Sequence, residues 1–472
     1  MPVDIEHPDY AYMKPIVRLV RDCSEGDPAV KLRREVYLPA DFARQANGEY
    51  SDHYLSYLAR AYFLGVTSRT KEALVGMVFR KPPTKEIPPA IETLLEDIDG
   101  AGRSLDQISK EMVGDLLETG KYYLLVDFPQ AEPGIDAEAE SRMGLRPTIA
   151  PYPFESLINW RFEALGGKQR LTLAVLRESV ENTDDEFSHD AEDRYRVLRL
   201  RDGVYTQQVY DDSGIPITEE YAPRMAGGAT FDHIPLHIVG AKSNLPGKDM
   251  PPMYDIARTN IAHYQSTANV KESGYIGTQP MLHVDVGETT LDEWKLHNPG
   301  PLSFGNRNGL TTKGGKLEVV QAEATDYNMT TMDKEETQMV MLGARLVQRG
   351  GQTETAEAAR IEASAEASVL EVVVGNASEC IEAALEDVAR FLGVDPDGVF
   401  YSLNASFWES QLSAQDLQAV MQARQGGTIG GRDVLYMIRN GRIQLDPERT
   451  DDQILEESAS DSLDVGGAQD LQ

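Results

Sequence analysis

Hydrophobic residues recur at helical spacing over much of the first 130 positions. Between Asp52 and Ala73, aromatic and aliphatic side chains return every three or four residues, which predicts one helix. The breaker Lys81-Pro82-Pro83 follows it. A second helix is predicted to open at Ser104 and to end before Gly120. Residues 1–130 are therefore expected to be mainly helical, with a buried strand over 122–126 near their end.

Short strand-like segments replace this pattern between about 146 and 240. They predict three strands, Leu171–Arg177, Tyr195–Arg201 and Val204–Tyr210. Asp202-Gly203 joins the last two and is a strong hairpin signal. Residues 131–144, just before this β-rich region, are acidic and predict a loop.

Two predicted helices flank an insertion between residues 251 and 347. The first runs from Pro251-Pro252 to about Lys271 and carries an apolar stripe of Ala257, Ile261, Tyr264 and Ala268. The second covers about Asp326–Val347. Its apolar side is Met329, Met332, Met339 and Leu346, and its water-facing residues are Lys334, Glu335, Gln338 and Arg345. The segment 274–322 between them is rich in Gly and Pro and predicts irregular structure. This order indicates a stalk with a head at its far end.

A polar glycine link follows the second helix and leads into a long helix. The link is Gln348-Arg349-Gly350-Gly351-Gln352. The helix is predicted over Thr355–Leu392, with a kink or break at Gly375-Asn376, because Gly costs about 1 kcal/mol relative to Ala inside a helix. The chain then predicts a strand, two short helices and a disordered acidic tail, at Val399–Phe407, 413–424, 431–440 and 451–472.

Composition and charge narrow the possible functions. The 472 residues carry 45 Lys and Arg against 77 Asp and Glu, a formal charge of −32. Such a surface disfavours tight binding of duplex DNA, but it suits a wall along which DNA slides without sticking; the plainer alternative is that the acidity serves solubility. No apolar run is long enough for a membrane-spanning helix, and the opening residues predict no secretory signal. Cys23 and Cys380 are the only cysteines, which favours a reducing cytoplasm during synthesis.

The search for catalytic motifs finds none that qualifies. Gly309 and Gly314 have the spacing of a phosphate-binding loop, but Gly315 stands where the loop requires Lys. His233 and His237 have the spacing of a helical zinc pair, yet Pro235 lies between them in a strand-like stretch. We therefore expect no metal, no cofactor and no enzymatic activity, with an unrecognised soluble enzyme as a remote alternative.

A few residues have the character of contact positions. The cluster Met329, Met332, Met339 and Met341 fits either an adaptable partner surface or an ordinary helix-packing core. Trp294 and His297 in the insertion fit contact positions, or a small local core. Arg349, in the glycine link, is the basic residue whose context suits phosphate contact.

The order of these elements resembles that of tailed-bacteriophage portal proteins of the podophage-like branch. The stretches that carry the resemblance are Gly120–Pro129, Tyr152–Arg161, Pro251–Ala257 with its helix, and Thr353–Arg360. It spans about residues 50–410. It implies an α+β, portal-like fold with a helical wing, a β-rich subdomain, a two-helix stem, a small α/β clip, a long kinked helix and a short helical crown.

The resemblance assigns each segment a place in that fold. The wing is 1–250, helical over 1–130 and β-rich over 146–240; the stem helices are 251–273 and 325–347. The remaining segments are the clip 274–322, the tunnel loop 348–354, the wing's long helix and strand 355–410, the crown helices 411–445 and the acidic tail 446–472.

The resemblance also implies a mechanical role. Portal-like proteins form a dodecameric ring at one capsid vertex, through which double-stranded DNA enters and leaves without sequence-specific contact. The implied partners are further copies of the chain, the major capsid protein and scaffold, the terminase large subunit and a tail adaptor. The expected location is the virion, after assembly in the host cytoplasm and without a membrane. Another head–tail adaptor or a minor capsid protein is the alternative.

Three groups of site residues follow from these assignments. The tunnel loop contributes Gln348, Arg349, Gly350, Gly351 and Gln352, and the stem's channel-lining candidates are Lys334, Glu335, Gln338 and Arg345. The clip contacts are Trp294, His297, Asn306 and Arg307.

Overall fold

Helices dominate the amino-terminal region of the chain, strands the middle, and helices return after residue 253. The computed structural model describes residues 2–128, 146–181, 187, 189–225, 228–277, 281–298, 313–320, 326–347 and 368–407. The chain divides into two compact units, 1–405 and 406–472, and nearly all described residues belong to the first. The fold is α+β, as predicted.

The described helices are ten in number, apart from short 3₁₀ turns. They are α1 Pro8–Glu25, α2 Asp27–Leu32, α3 Asp52–Arg60, α4 Val66–Val78, α5 Pro89–Glu92, α6 Leu105–Thr119, α7 Tyr254–Gly277, α8 Leu291–His297, α9 Asp326–Arg345 and α10 Val369–Leu392.

The described strands form four small antiparallel sheets. They are β1 Thr84–Glu86, β2 Lys121–Asp127, β3 Thr148–Pro153, β4 Leu157–Leu165, β5 Lys168–Glu181, β6 Ala191–Arg201, β7 Val204–Tyr210, β8 Leu236–Gly240, β9 Met281–Val284, β10 Leu317–Val320 and β11 Phe400–Ser402. One sheet has the order β3-β2-β8 and a second the order β4-β5-β6-β7, while β1 pairs with β11 and β9 with β10.

The predicted helix after Ser104 is confirmed together with both of its ends. The hydroxyl of Ser104 accepts a hydrogen bond from the amide of Gln107, whose side chain bonds back to the Ser104 amide. Gly120 ends the helix at φ 80°, and a Cβ there would collide with the carbonyl of Asp249. The buried strand β2 follows directly, also as predicted.

The single helix predicted over 52–73 is wrong, because the structure has two helices, α3 and α4, with a break between them. Tertiary contacts take the backbone groups at the break. The amide of Phe63 donates to the Asp27 carboxylate at 3.1 Å, and the carbonyl of Leu64 accepts from Asn260 at 2.8 Å. The buried Phe63 ring accounts for the helical periodicity that continues through this break.

The predicted hairpin strands are confirmed within β5, β6 and β7. Asp202 and Gly203 both have positive φ, 51° and 77°, as a two-residue turn with a right-handed strand twist requires. Helix α1 packs across this sheet. The resulting core contains Tyr10, Met13, Val17, Phe154, Ile158, Val175, Tyr195 and Val197.

Helix α10 differs from its prediction in two respects: where it begins, and whether it is interrupted at Gly375. It begins after Ser368, which forms a capping box with Glu371, whereas the prediction started it at Thr355; residues 355–367 lie outside the described ranges. It then continues without interruption through Gly375-Asn376. The cost of Gly375 is outweighed by burial of apolar neighbours on both sides, and the Asn376 amide donates to the carbonyl of Gly240 at 2.7 Å. The strand predicted over Val399–Phe407 is shorter, Phe400–Ser402.

The insertion between α7 and α9 is more regular than predicted. Strands β9 and β10 pair antiparallel, and helix α8 has a capping box formed by Thr290 and Glu293. Helix α7 also extends to Gly277, into the predicted clip. Gly287 and Gly315 lie against the facing backbone, where a Cβ would collide with it.

Several predicted elements lie outside the described residues. They are the acidic loop 131–144, the tunnel loop 348–354, the helices 413–424 and 431–440, and the acidic tail. Within the described ranges of the chain, no helix has both the length and the apolar content to cross a membrane.

Candidate functional site

Helices α7 and α9 form an antiparallel hairpin, and α7 is much more deeply buried than α9. His263 of α7 faces Glu336, and Ser266, one turn later, faces Glu335. Partners therefore descend along α9 as they ascend along α7. This arrangement brings together the two predicted stem helices, with the insertion joining the end of one to the start of the other.

Helix α7 is packed into the first unit along one stripe. The predicted apolar residues Ala257, Ile261, Tyr264 and Ala268 are all buried, as is Ile256. Helices α1, α3, α4 and α9 surround them. Pro251-Pro252 precedes the helix, where a missing backbone N–H is tolerated. Sequence periodicity alone was sufficient to find this face.

Polar side chains also bind α7 to the helices below it. Asn260 is completely buried; its amide donates to the Leu64 carbonyl at 2.8 Å, and its oxygen accepts from the Thr67 hydroxyl at 3.0 Å. Further along, Glu272 bonds to His53 at 2.9 Å and to Arg60. Burial would raise the pKa of Glu272, but these two hydrogen bonds outweigh it and lower the pKa. The helix is fixed over most of its length.

Helix α9 is less deeply buried than α7 over its described side chains. Among its described side chains, Met339 is the buried one, and the hydrogen bonds from His263 to Glu336 and from Ser266 to Glu335 are long, at 3.2 and 3.3 Å. Large apolar side chains lie exposed: Met329 at 59%, Val340 at 72% and Met341 at 57%. Scattered exposed apolar residues are ordinary, but three on one helix with a single buried described side chain form an apolar surface that one chain leaves uncovered.

Helices α7 and α9 also contain buried polar atoms whose hydrogen-bonding capacity the described part of the chain leaves unused. His263 Nδ1, Thr267 Oγ1 and Glu335 Oε2 have no hydrogen-bond partner among the described residues. Leaving a buried donor or acceptor unpaired costs about 1–3 kcal/mol, so most such groups in native proteins are satisfied. These three atoms are enclosed within the single chain, so their cost falls on its own stability.

Three of the four stem residues that were predicted to face water do so. Lys334, Gln338 and Arg345 are exposed, while Glu335 is half-buried against Ser266. The predicted apolar side is wrong at Met329, which is exposed, although Met339 and Leu346 are buried. The prediction assumed that α9 buries the face on which its regularly spaced Met residues lie. Instead, the structure buries Met339 and leaves Met329 exposed on the same helix.

The insertion buries one of the two predicted contact residues that lie within the described ranges and exposes two leucines that the sequence analysis did not single out. Trp294 is buried, at 6% exposure, and His297 is exposed, with its Nδ1 2.7 Å from the carbonyl of Glu293. Leu291 and Leu296 are exposed at 57% and 79%. Sequence reasoning missed both, as it missed Val340. Reading each short helix for apolar residues opposite its buried face would have found them. Asn306, Arg307 and the five tunnel-loop residues lie outside the described ranges.

Metal-binding and catalytic arrangements are not seen in the described ranges. No group of three or more His, Cys, Asp or Glu side chains there is arranged to hold a metal ion. His233 and His237, the pair with zinc spacing, both direct Nε2 at the carboxylate of Asp387.

A family model described as a domain of unknown function (DUF4055) matches residues 252–392. The match begins just before α7 and ends at the last residue of α10, so it contains the whole hairpin and insertion. It covers well under half of the chain. No curated protein matches.

Two solved structures with similar chains come from gene transfer agent (GTA) particles. The first, the neck of a native GTA particle computed with C12 symmetry, is 14% identical, covers 86% of this chain and 98% of its own, and has a TM-score of 0.39. The second, the virion of a native GTA particle, is 13% identical, with coverages of 81% and 92% and a TM-score of 0.38. At such identities and TM-scores we draw neither fold nor function from them.

Proposed function

We propose that this protein is a structural component of the head–tail junction of a phage-like particle, and specifically a portal. Copies of the chain pack side by side through the α7–α9 hairpin into a ring of about twelve. The ring provides the duct for entry and exit of double-stranded DNA. The matched particle structures are of that general class, but the proposal rests on the hairpin.

The observation that carries the proposal is the unequal burial of the two hairpin helices. Helix α7 packs its apolar stripe against other helices of the same chain, whereas α9 exposes Met329, Val340 and Met341. Copies related by rotation about one axis can cover each other's exposed helices. Repeated head-to-tail contacts of this kind close into a ring when the rotation allows it. Burying apolar area contributes about 25 cal/mol per Å², so each added neighbour stabilises its predecessor.

Charge supports a duct better than a clamp. With a net charge of −32, most of the surface repels phosphate, and DNA moves past it without lasting contact. The energy for DNA movement then comes from a separate terminase, with the insertion as its docking site and later that of a tail adaptor. Leu291 and Leu296 offer this partner an apolar contact.

The test is to determine the assembly state of the purified full chain. We expect closed rings of about twelve subunits in negative-stain images, with neighbouring symmetries when scaffold is absent, and a matching mass by light scattering. Val340→Asp with Met341→Asp should abolish the rings, because both side chains are exposed in one chain and buried in the assembly.

The matched control is Ile215→Asp, since Ile215 is 60% exposed but lies in the turn after β7, away from the hairpin in sequence. Rings should persist in this variant. A wild-type mass of one chain, or rings that survive the double substitution, would refute the proposal.

A second experiment separates a portal from another ring-forming adaptor. We propose that residues 348–354 form a loop that faces the channel. Gly350→Trp or Gly351→Trp should then leave ring assembly intact and reduce DNA packaging into capsids. Normal packaging in both variants would remove this loop assignment without affecting the ring.

A further inference from the structure

One buried carboxylate holds together three elements of the first unit. Asp387, near the end of α10, is completely inaccessible to solvent. Its Oδ2 lies 3.1 Å from His233 Nε2, in the loop before β8, and 3.0 Å from His237 Nε2, on β8 itself. Its Oδ1 accepts from the guanidinium of Arg390, one turn further along α10. The contacts join the last turns of α10 to the β3-β2-β8 sheet.

His233 is unusual in that both of its ring nitrogens face carboxylates. Nδ1 lies 3.0 Å from Asp232 Oδ1, while Nε2 faces Asp387. An ionised carboxylate only accepts hydrogen bonds, and a neutral imidazole has one donor and one lone pair. A neutral His233 therefore satisfies one carboxylate and points a lone pair at the other. The imidazolium form donates to both.

We propose that His233 is a proton-operated latch that holds the last turns of α10 on β8: closed when the ring carries two protons, loosened when it carries one. The loop that carries His233 is fixed independently, since its Phe231 carbonyl accepts from Tyr205 and its Pro235 carbonyl from Val126. Loss of the proton therefore acts on the helix. This inference does not depend on the proposed function.

The charged and titratable groups around the latch come from α10, β5, β8 and the loop before β8. They are Asp232 and Asp387 on the ring nitrogens of His233, His237 on Asp387, Arg390 on Asp387 and Glu386, and Arg170 on the Asp232 side chain and carbonyl. Arg390 and Arg170 stay charged at every pH considered, so His233 is the switching group that touches both carboxylates.

The direction of the pH effect follows from the pKa shifts of the two groups in this contact, His233 and Asp387. Burial alone would lower the pKa of His233, but its hydrogen bonds to Asp387 and Asp232 raise it. Its stabilising contribution is therefore complete below the unfolded pKa and lost as pH rises through the folded pKa. Burial would raise the pKa of Asp387, yet the two histidines lower it, so its contribution is lost only as pH falls through that lowered pKa. The latch is closed in mildly acidic solution and opens towards alkaline pH.

Hydrogen exchange of the full chain tests this. Protection of backbone amides over residues 385–392, corrected for intrinsic rates and compared with β6 in the same sample, should fall between about pH 6 and pH 8.5. The fall is about tenfold for each unit by which folding raises the His233 pKa.

Two substitutions should move the protection in opposite directions. His233→Gln carries no charge and should give low protection at both pH values. Asp232→Asn removes one of the two carboxylates, so the neutral ring donates to Asp387 and accepts from the new amide. Protection should then be high at both pH values. His189→Gln, whose ring is exposed and paired with Glu181, should keep the wild-type dependence.

A flat wild-type profile, or a wild-type slope in Asp232→Asn, would overturn the latch. The Asp232→Asn arm decides the question even when His233→Gln fails to fold.

Discussion

Helices α10 and α9 are of similar length, yet they differ greatly in how much of their surface the chain buries. Thirteen of the 24 residues of α10 are buried, with a continuous apolar face towards α6 and the β3-β2-β8 sheet. Helix α9 buries Met339 among its described side chains and leaves Val340 and Met341 in solvent. The first helix belongs to the core of one chain. The second packs against α7 along one side and leaves most of its described side chains in solvent, and this difference is the reason for proposing α9 as the assembly surface.

The largest expected effect compares truncations on the two helices. Ile381→Ala should destabilise the chain by about 2–5 kcal/mol, because it removes a fully buried side chain and leaves a cavity. Val340→Ala should change the stability of the unassembled chain by no more than about 0.5 kcal/mol. Urea unfolding of dilute protein measures both. Equal losses would mean that α9 is as firmly packed as α10.

Met339 sharpens the comparison within α9. It is 1% exposed, so Met339→Ala should cost about 2–5 kcal/mol, as for a buried Met. The measurement is the same urea unfolding, with Met329→Ala, exposed at 59%, as the control that should change little. A loss at Met329 as large as at Met339 would restore the predicted Met stripe.

The start of α10 offers a smaller effect. Ser368→Ala removes the oxygen that accepts from the Glu371 amide and should cost about 1 kcal/mol. Ser368→Asp keeps an acceptor and should retain most of the stability. Thermal unfolding of the three proteins decides it. No loss in the alanine variant would show that the helix extends back through this residue, as the periodicity predicts.

The smallest effect is a gain. Gly375 lies exposed inside α10, and a Cβ there meets nothing within 4 Å, so Gly375→Ala should stabilise the chain by roughly 0.5–1 kcal/mol. Gly120→Ala is the contrasting substitution, because a Cβ at that positive φ collides with Asp249. A destabilised Gly375→Ala would indicate that the expected kink is needed after all.

Local signals in the sequence were enough for several elements. Capping at Ser104, the hairpin at Asp202-Gly203 and the buried stripe of α7 were all predicted and are all present. Each depends on side chains within a few positions of one another. The order helix, insertion, helix is likewise a property of the chain read in one dimension.

Contacts between distant residues decided the rest. The break before α4 depends on Asp27 and Asn260, and the continuity of α10 through Gly375 depends on the sheet beneath it. The assembly of Asp387 with His233 and His237 joins residues about 150 positions apart, which no spacing rule finds. Tertiary packing also determines which face of α9 is buried. Periodicity reports that a helix has an apolar side, whereas the partners available in three dimensions determine how much of it one chain can cover.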